Sequence, residues 1–260
     1  MEVIRRVVQH GLGAIAFYTC IPIPSHWTLQ FRFAARLAPW VGLLIGVLLL
    51  VVNTGLHALY GSALTRAVAI VLLWVGLTGG LHLDGAMDTA DGLAVTDPTR
   101  RLSAMTDSQT GAFGAMSAIA ILLLKVAALT DFMTQPLIYQ NMMILLVPAW
   151  GRWAQQLAIA RYSYLKPTGK GAFHKAAIPS MTQCLPAYGL LLGLHLLWVV
   201  MTPLSLLQSA AIAVIGTAIA SLTGAWFNFC LGGHTGDTYG AVVEWTEALM
   251  LPLSLLAFTP

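Results

Sequence analysis

The sequence predicts an all-α protein, a polytopic bundle of about seven transmembrane helices with a cytoplasmic N-terminus. Hydrophobic residues make up 58% of the 260 residues and charged residues only 9%, whereas a soluble globular protein carries about 25% charged residues. Long uncharged runs follow one another along the chain, and the basic residues concentrate in alternate connecting segments. We therefore expect one integral membrane domain over residues 1–260, with little room for a separate soluble domain.

The order of apolar and helix-breaking residues gives the elements. Arg5 and Arg6 open a short helix near residues 3–18, and Pro22 and Pro24 follow it, because proline interrupts helical hydrogen bonding. A helix needs about 20 apolar residues to cross the hydrocarbon core. Such runs predict spans at about 39–60, 63–83, 111–130, 137–160, 184–202, 204–230 and 241–259.

The basic residues predict the orientation, because cytoplasmic loops carry an excess of lysine and arginine. With the N-terminus inside, the cytoplasmic segments are 1–37, 84–110, 161–183 and 231–240, and the opposite segments contain at most Arg66. Ten of the 13 basic residues then fall in cytoplasmic segments: Arg5, Arg6, Arg32, Arg36, Arg100, Arg101, Arg161, Lys166, Lys170 and Lys175. The polar motifs fall on the same side.

The strongest chemical signal is a group of aspartates directly after the second predicted span. Asp84, Asp88 and Asp91 have the spacing i, i+4, i+7, which places them on one face of a helix. Two carboxylates about 6 Å apart repel by roughly 2–3 kcal/mol at an effective dielectric constant of about 20. A divalent cation that prefers oxygen ligands, such as Mg²⁺, relieves this repulsion. Asp97 and Glu2, by contrast, are interpreted as ordinary surface charges.

A second acidic cluster follows a glycine-rich turn, Gly232-Gly233-His234-Thr235-Gly236. Asp237 and Glu244 are seven residues apart and share a helix face, and Glu247 follows them. Glycines allow the backbone to approach a ligand closely, and the N–H groups at a helix start favour phosphate. Segments 84–107 and 237–247 hold eight of the ten acidic residues, so they predict one shared site.

Several other polar residues have two interpretations each. Asp107 and Ser108 precede the third span, where they can cap the next helix, contact a phosphate, or do both. Lys125 and Arg152 are cations inside predicted spans, which we expect to pair with a carboxylate or with a ligand phosphate. Arg161 begins a basic, aromatic loop that either carries positive-inside charge alone or also holds an anionic substrate.

Two histidines adjoin the acidic clusters. His82 and His234 are candidates for a general base or for a hydrogen-bond donor to phosphate. The other histidines are interpreted as incidental: His10, His26, His57, His174 and His195. The tyrosines and tryptophans are interpreted as anchors at the membrane interface, and the three separated cysteines as small buried hydrophobic residues.

Four motifs, in order along the chain, resemble those of a known family. They are Phe17-Tyr18-Thr19-x-Ile21-Pro22, Gly79-Gly80-Leu81-His82-Leu83-Asp84-Gly85 with Asp88-Thr89-Ala90-Asp91-Gly92, Asp107-Ser108-x-x-Gly111-x-Phe113-Gly114, and Gly232-Gly233-x-Thr235-Gly236-Asp237 with Gly240-Ala241. The chain resembles cobalamin synthase, the adenosylcobinamide-GDP ribazoletransferase family of late vitamin B12 assembly. The resemblance implies a Mg²⁺-dependent membrane enzyme that joins adenosylcobinamide-GDP to α-ribazole or its 5′-phosphate. Its products are GMP and adenosylcobalamin or the corresponding 5′-phosphate.

The residues and the resemblance together predict roles in the site. Asp84, Asp88 and Asp91 hold one or two Mg²⁺, helped by Asp237 and Glu244. The ribazole hydroxyl or phosphate attacks the phosphorus on the cobinamide arm, and His82 or one aspartate of the triplet, Asp88 or Asp91, takes the proton. The residues predicted to bind substrate or phosphate are Asp107, Ser108, Lys125, Arg161, Gly233, His234 and Thr235.

The expected partners are the two substrates and the lipid bilayer, with no nucleic acid. We expect the protein in the plasma (inner) membrane, with its active site on the cytoplasmic side. A homo-oligomer and contacts with other late cobalamin-assembly enzymes are both open.

Two other function classes are compatible with the same residues. A CDP-alcohol phosphotransferase also uses aspartates at helical spacing with Mg²⁺, but its Asp-Gly-x-x-Ala-Arg opening is not met, because Met87-Asp88 stands in place of Ala-Arg. A transporter with an acidic ion site is the second alternative, although such sites often lie near the bilayer midplane. Transport into vesicles without release of any nucleotide would favour the transporter over an enzyme.

Overall fold

The computed structural model describes residues 2–59, 61–107, 109–166 and 171–258, and these ranges are mainly helical, as predicted. The first helix corresponds to the one expected near residues 3–18. One isolated parallel bridge, between Tyr164 and His234, is the only strand-like pairing in these ranges. The helices are α1 (Glu2–Tyr18), α2 (Ala34–Leu59), α3 (Ala63–Thr78), α4 (Leu81–Ala94), α5 (Arg101–Ala104), α6 (Ala112–Phe132), α7 (Leu137–Arg161), α8 (Ala172–Ala177), α9 (Leu185–Met201), α10 (Leu206–Leu231) and α11 (Gly236–Ser254), with short 3₁₀ turns at Pro98–Arg100, Met181–Cys184 and Leu255–Phe258.

Helix α7 lies at the centre of the bundle. Every residue from Leu146 to Ala160 is buried, and α2, α10 and α11 pack around the helix. Gly42 and Gly46 permit the contact with α2, because a Cβ atom at either position would collide with a carbonyl oxygen of α7. Small residues four positions apart let two membrane helices approach closely in this way.

The number of apolar helices is lower than the predicted number of spans. Among the described residues, α2, α6, α9 with the 3₁₀ turn before it, α10, and α11 with the turn after it are long and apolar enough to cross a membrane. The bent pair of α3 and α4 makes six if it counts as one span. The remaining predicted span, at about 137–160, corresponds to α7. Its polar residues lower its hydropathy, and the neighbouring helices enclose it. The orientation of the N-terminus stays a prediction.

The second predicted span ends earlier than expected. A continuous span was predicted at 63–83, but α3 ends at Thr78 and α4 begins at Leu81, at an angle of 89°. Gly79 and Gly80 have φ angles of 60° and 70°, the left-handed region that glycine adopts without a steric penalty. The two glycines therefore terminate one helix and start another, and the predicted aspartates lie along the second.

Candidate active site

Helices α4 and α11 cross closely at one end of the bundle, and glycines make this crossing possible. A Cβ atom at Gly85 would lie 2.7 Å from the carbonyl oxygen of Asp237, and one at Gly240 would lie 2.9 Å from the carbonyl oxygen of His82. Any larger residue at these positions would push the two backbones apart. The glycines of the two motifs therefore bring the two acidic segments together.

Three carboxylates from these helices form the acidic part of the site. Asp84 and Asp237 line the same cavity, and Asp88, one turn after Asp84, interacts electrostatically with both. One cation adjoins them: Nζ of Lys166 lies 3.2 Å from Oδ2 of Asp237. The same oxygen accepts a hydrogen bond from Oγ1 of Thr235 at 3.2 Å. The group keeps an excess of negative charge even with Lys166 included.

These residues fit a magnesium ion that shares its coordination with a substrate. Their donors are all carboxylate oxygens, and Mg²⁺ usually takes one or two carboxylates together with water and substrate phosphates. Within the described ranges, no three His, Cys, Asp or Glu side chains form a ready metal cage. The donor set therefore suits an open site on one or two of Asp84, Asp88 and Asp237 that a phosphate group would complete.

Asp91 has a different set of partners. Its Oδ2 accepts the backbone N–H of Gly111 and its Oδ1 accepts that of Gly114, both at 2.7 Å. Gly111 is the N-cap residue of α6, so Asp91 caps this helix from a neighbouring one. We predicted Asp91 as a catalytic and metal-binding residue; in the structure both of its oxygens accept backbone N–H groups of α6, and it also interacts electrostatically with Asp88. The cap expected from Asp107 is supplied by Asp91.

The cations inside the bundle pair with glutamates in a group that we call the ion-pair core. Nζ of Lys125 lies 2.6 Å from Oε2 of Glu244 and 2.6 Å from Oε2 of Glu247. Nη1 of Arg152 lies 2.5 Å from Oε1 of Glu247, and all four side chains are buried. We predicted that Lys125 and Arg152 pair either with a carboxylate or with a ligand phosphate. In the structure both pair with carboxylates. Lys125, which we predicted to bind substrate, and Glu244, which we predicted to bind metal, are thus paired with each other in the structure.

The glycine-rich turn is held by its own hydrogen bonds. Thr235 caps α11, because its Oγ1 accepts the N–H of Thr238 and Oγ1 of Thr238 accepts the N–H of Thr235. His234 is buried, and both of its ring nitrogens have hydrogen-bond partners. Burial lowers the pKa of His234 to about 4, so the ring is neutral. Gly233, His234 and Thr235, which we predicted to bind substrate, form the turn directly before Asp237, and their predicted role stays a prediction.

A cavity of about 340 Å³, which we call the polar cavity, opens beside the carboxylates. Residues of α1, α4, α7, α8 and α11 line it, and its volume is within the range of small-molecule sites. Asp84 and Asp237 form its acidic side. Its uncharged side consists of Phe17, Tyr18, His82, Gln155, His174 and Tyr239.

His82 connects the polar cavity with the ion-pair core. It is buried, and its Nδ1 lies 3.5 Å from Nη2 of Arg152. A guanidinium group only donates, so Nδ1 accepts and a neutral ring carries its proton on Nε2. Nε2 has no hydrogen-bond partner among the residues that the structure describes. His82 therefore lies between the polar cavity and the ion-pair core with its Nε2 buried, and its predicted role as a proton acceptor stays a prediction.

The sequence interpretation missed several cavity residues. His174 was taken as incidental, and Tyr18 and Tyr239 as interface anchors, but Tyr18 is 0% and Tyr239 1% exposed. A local signal existed for two of them: Tyr18 is part of the N-terminal motif, and Tyr239 stands between Asp237 and Gly240. His174 and Gln155 have no such signal, because only the folded chain brings them to the cavity.

The remaining predicted contacts lie away from the polar cavity or outside the described residues. Asp107 is exposed, and its Oδ1 accepts the backbone N–H of Gln109 at 3.1 Å. Arg161 is exposed, with its guanidinium carbon 5.6 Å from the ring centre of Tyr162. Ser108 lies outside the described residues.

Comparison with known proteins agrees with the resemblance carried by the motifs. The family model described as cobalamin-5-phosphate synthase matches residues 11–255. The adenosylcobinamide-GDP ribazoletransferase of Trichormus variabilis is 55% identical over 248 residues, which cover 95% of this chain and 97% of that protein. The protein of the same name from Thermosynechococcus vestitus is 49% identical over 251 residues, 96% of each chain. No solved structure matches the chain. The chain therefore belongs to the cobalamin-5-phosphate synthase family.

Proposed function

We propose that this chain is an adenosylcobinamide-GDP ribazoletransferase, which joins adenosylcobinamide-GDP to α-ribazole or its 5′-phosphate and releases GMP. The observation that carries the proposal is that Asp84 and Asp237 line one cavity, with Asp88 one turn after Asp84, in a chain of this family. Such a group suits phosphoryl transfer, in which positioning and charge stabilisation do most of the catalysis.

The transfer step balances without any further reactant. A hydroxyl oxygen of the ribazole ribose attacks the phosphorus that is bonded to the cobinamide arm. A new P–O bond forms to ribazole, and the bond from that phosphorus to the bridging oxygen of the diphosphate breaks. GMP leaves with the bridging oxygen, and the hydroxyl proton passes to a base.

Asp84, Asp88 and Asp237 are the residues that would hold Mg²⁺. When bound, Mg²⁺ neutralises the diphosphate and stabilises the negative charge of the departing GMP. The proposal takes support from the oxygen-only donor set and from the excess of negative charge in the group.

The remaining roles follow from the neighbours of the cavity. Lys166, 3.2 Å from Asp237, is placed to contact a phosphate oxygen of either substrate. The proton acceptor is His82 or one of the carboxylates. Asp91 holds the start of α6 against α4 and keeps the group in place.

The protein works in the plasma (inner) membrane with this site on the cytoplasmic side. The distribution of basic residues supports this orientation. A cysteine introduced by Asp97→Cys, in a chain without its native cysteines, should react with an impermeant thiol reagent in inside-out vesicles. Reaction in right-side-out vesicles alone would reverse the orientation.

The first test is GMP release by the purified protein in detergent or nanodiscs, with adenosylcobinamide-GDP, α-ribazole and Mg²⁺, against an EDTA control. Metal-dependent GMP with a cobalamin product is the expected result. No GMP from a well-folded sample would remove the substrate assignment, and CDP-alcohols and ion flux would be the next assays.

The second test addresses the carboxylates. Asp88→Ala should lower turnover about 100-fold or more, equivalent to about 2.7 kcal/mol of transition-state stabilisation, without changing the unfolding temperature. The control is Asp131→Ala, which removes an exposed carboxylate at the C-terminal end of α6, whereas Asp91 contacts the N-terminal end of that helix. Near-normal activity of Asp88→Ala would contradict the metal-binding assignment.

A further inference from the structure

A second large cavity, of about 590 Å³, lies behind α4, on the side of this helix opposite to the aspartates. We call it the apolar groove. Ala86, Ala90 and Leu93 line it, and they repeat the i, i+4, i+7 spacing of the aspartates two residues later, which is about half a turn of helix. Its other walls belong to α6, α10 and α11, and α11 packs against all three of the other helices.

The lining of the apolar groove suits a hydrocarbon chain. No charged side chain is among the described residues that line it, and apart from two indole rings only Ser117 and Thr223 carry a polar group. The hydroxyl of Thr223 already donates to the carbonyl oxygen of Ile219. Apolar lining residues such as Phe113 and Leu222 are 56% and 66% exposed, and a contiguous exposed apolar surface of this kind marks an interaction site.

One end of the apolar groove is basic. Nε of Arg101 donates to the carbonyl oxygen of Val95 at 3.1 Å, and its Nη1 donates to that of Cys230 at 3.0 Å. Val95 directly follows α4, and Cys230 lies in the last turn of α10. Arg101 therefore joins the ends of two helices that flank the groove, and Arg100 is exposed beside it.

These two arginines keep positive charge for a ligand. In the described part of the chain, no carboxylate forms an ion pair with Arg100 or Arg101, and Oδ1 of the neighbouring Asp97 is bonded to Thr99. Trp226, one turn before the end of α10, lines the groove and is 60% exposed. Tryptophan is enriched at the level of the lipid headgroups, so we expect the basic end at that level and the rest of the groove in the hydrocarbon region.

We propose that the apolar groove binds an anionic phospholipid. One acyl chain lies in the groove against Ala86 and Ala90, and the phosphate lies at Arg100 and Arg101. An anionic headgroup is favoured because a zwitterionic one brings its own positive charge towards the two arginines. The lipid then packs behind the helix that carries the aspartates. Binding is measured without turnover, so the inference stands or falls independently of the proposed reaction.

The test is native mass spectrometry of the purified, delipidated protein with phosphatidylglycerol or phosphatidylcholine, which reports bound lipid and oligomeric state together. Phosphatidylglycerol should bind more tightly. Arg100→Gln should weaken its binding about 5-fold, equivalent to about 1 kcal/mol for one basic residue near a membrane surface, and Arg101→Lys should largely retain it. The matched control is Arg32→Gln, which removes another exposed arginine whose guanidinium carbon lies 5.3 Å from the ring centre of Phe33, and it should leave binding unchanged.

A further variant tests the position of the acyl chain. Ser117→Leu narrows the groove, and its Oγ has no hydrogen-bond partner among the described residues, so no known internal bond is lost. It should weaken the binding of both lipids.

Three outcomes would overturn the inference. Equal binding of the two lipids, or equal effects of Arg100→Gln and Arg32→Gln, would remove the anionic headgroup from the site. Lipid binding that Ser117→Leu leaves unchanged would place the chain outside the groove. A dimer that Ser117→Leu dissociates would assign the groove to a second copy of the protein.

Discussion

Two buried polar regions meet at His82, and they are built in opposite ways. In the ion-pair core, Lys125, Arg152, Glu244 and Glu247 neutralise one another at distances of 2.5–2.6 Å. Around the polar cavity, five polar atoms are equally buried and have no hydrogen-bond partner among the described residues: Oη of Tyr18, Nε2 of His82, Oε1 of Gln155, Nδ1 of His174 and Oη of Tyr239. In the first region each charged side chain faces an opposite charge, although Nε of Arg152 has no hydrogen-bond partner among the described residues.

This difference shows how a functional site can be recognised in a membrane bundle. Ionisable residues inside spans usually mark function, and that rule alone would have selected Lys125 and Glu244. Their mutual pairing gives them a structural role, because a buried charge is stable only with a partner.

The largest expected effect comes from breaking the ion-pair core. Lys125→Met leaves two buried glutamates with only Arg152, and we expect a loss of about 3–5 kcal/mol in the free energy of unfolding. Lys125→Met combined with Glu244→Gln restores one cation to one anion and should recover most of that loss. Thermal unfolding in detergent measures both.

Two outcomes would contradict this view of the core. Equal unfolding temperatures for the single and double variants would mean that the pairing is not what stabilises the region. A folded double variant that forms no GMP even at high Mg²⁺ would return Glu244 to the metal site.

A smaller effect is expected where the cavity is assembled. Gly85→Ala places a Cβ atom 2.7 Å from the carbonyl oxygen of Asp237, so α4 and α11 must separate. We expect a loss of about 1–3 kcal/mol in stability, together with a fall in GMP formation. Gly76→Ala in α3 is the control, because its Cβ atom meets nothing within 4 Å, and it should gain about 0.5–1 kcal/mol. Equal effects of the two substitutions would exclude close helix contact as the cause.

The smallest expected effect is a pH dependence of the folding stability, which comes from His174 at the polar cavity and not from the ion-pair core. Burial lowers the pKa of His174 from 6.5 to about 4. Between these values the unfolded chain binds a proton that the native protein does not, so stability falls as the pH drops below 6.5. At pH 5.5 the loss is about 1 kcal/mol. His174→Gln should make the decrease in unfolding temperature between pH 7.5 and 5.5 shallower, and an unchanged decrease would contradict the assignment.

The sequence predicted the helical architecture and the meeting of the two acidic segments, because both depend on composition and on local spacing. It did not separate Asp237 from Glu244. Seven residues place both side chains on one face of α11, but Glu244 lies about 10 Å further along the helix axis, among Lys125 and Glu247. Spacing along a helix defines a shared face and not a shared depth.

Other parts of the site depend on contacts between distant segments. Asp91 has the same spacing as a metal ligand, yet its partners, Gly111 and Gly114, are 20 and 23 residues away. Tyr18 and His174 reach one cavity only because α1 and α8 pack at the same end of the bundle. No local sequence pattern encodes these contacts, so they could not be predicted from the sequence alone.

The early end of α3 has a consequence for the surrounding lipid. With 16 residues, α3 is about 24 Å long, which is shorter than the hydrocarbon thickness of about 30 Å. Gly79 and Gly80 have no side chains that could cover the difference. A span of this length favours local thinning of the bilayer, and we expect such thinning to bring headgroups and water towards α4. Polar nucleotides then reach the aspartates over a shorter distance, and bilayer thickness becomes a physical variable of the reaction.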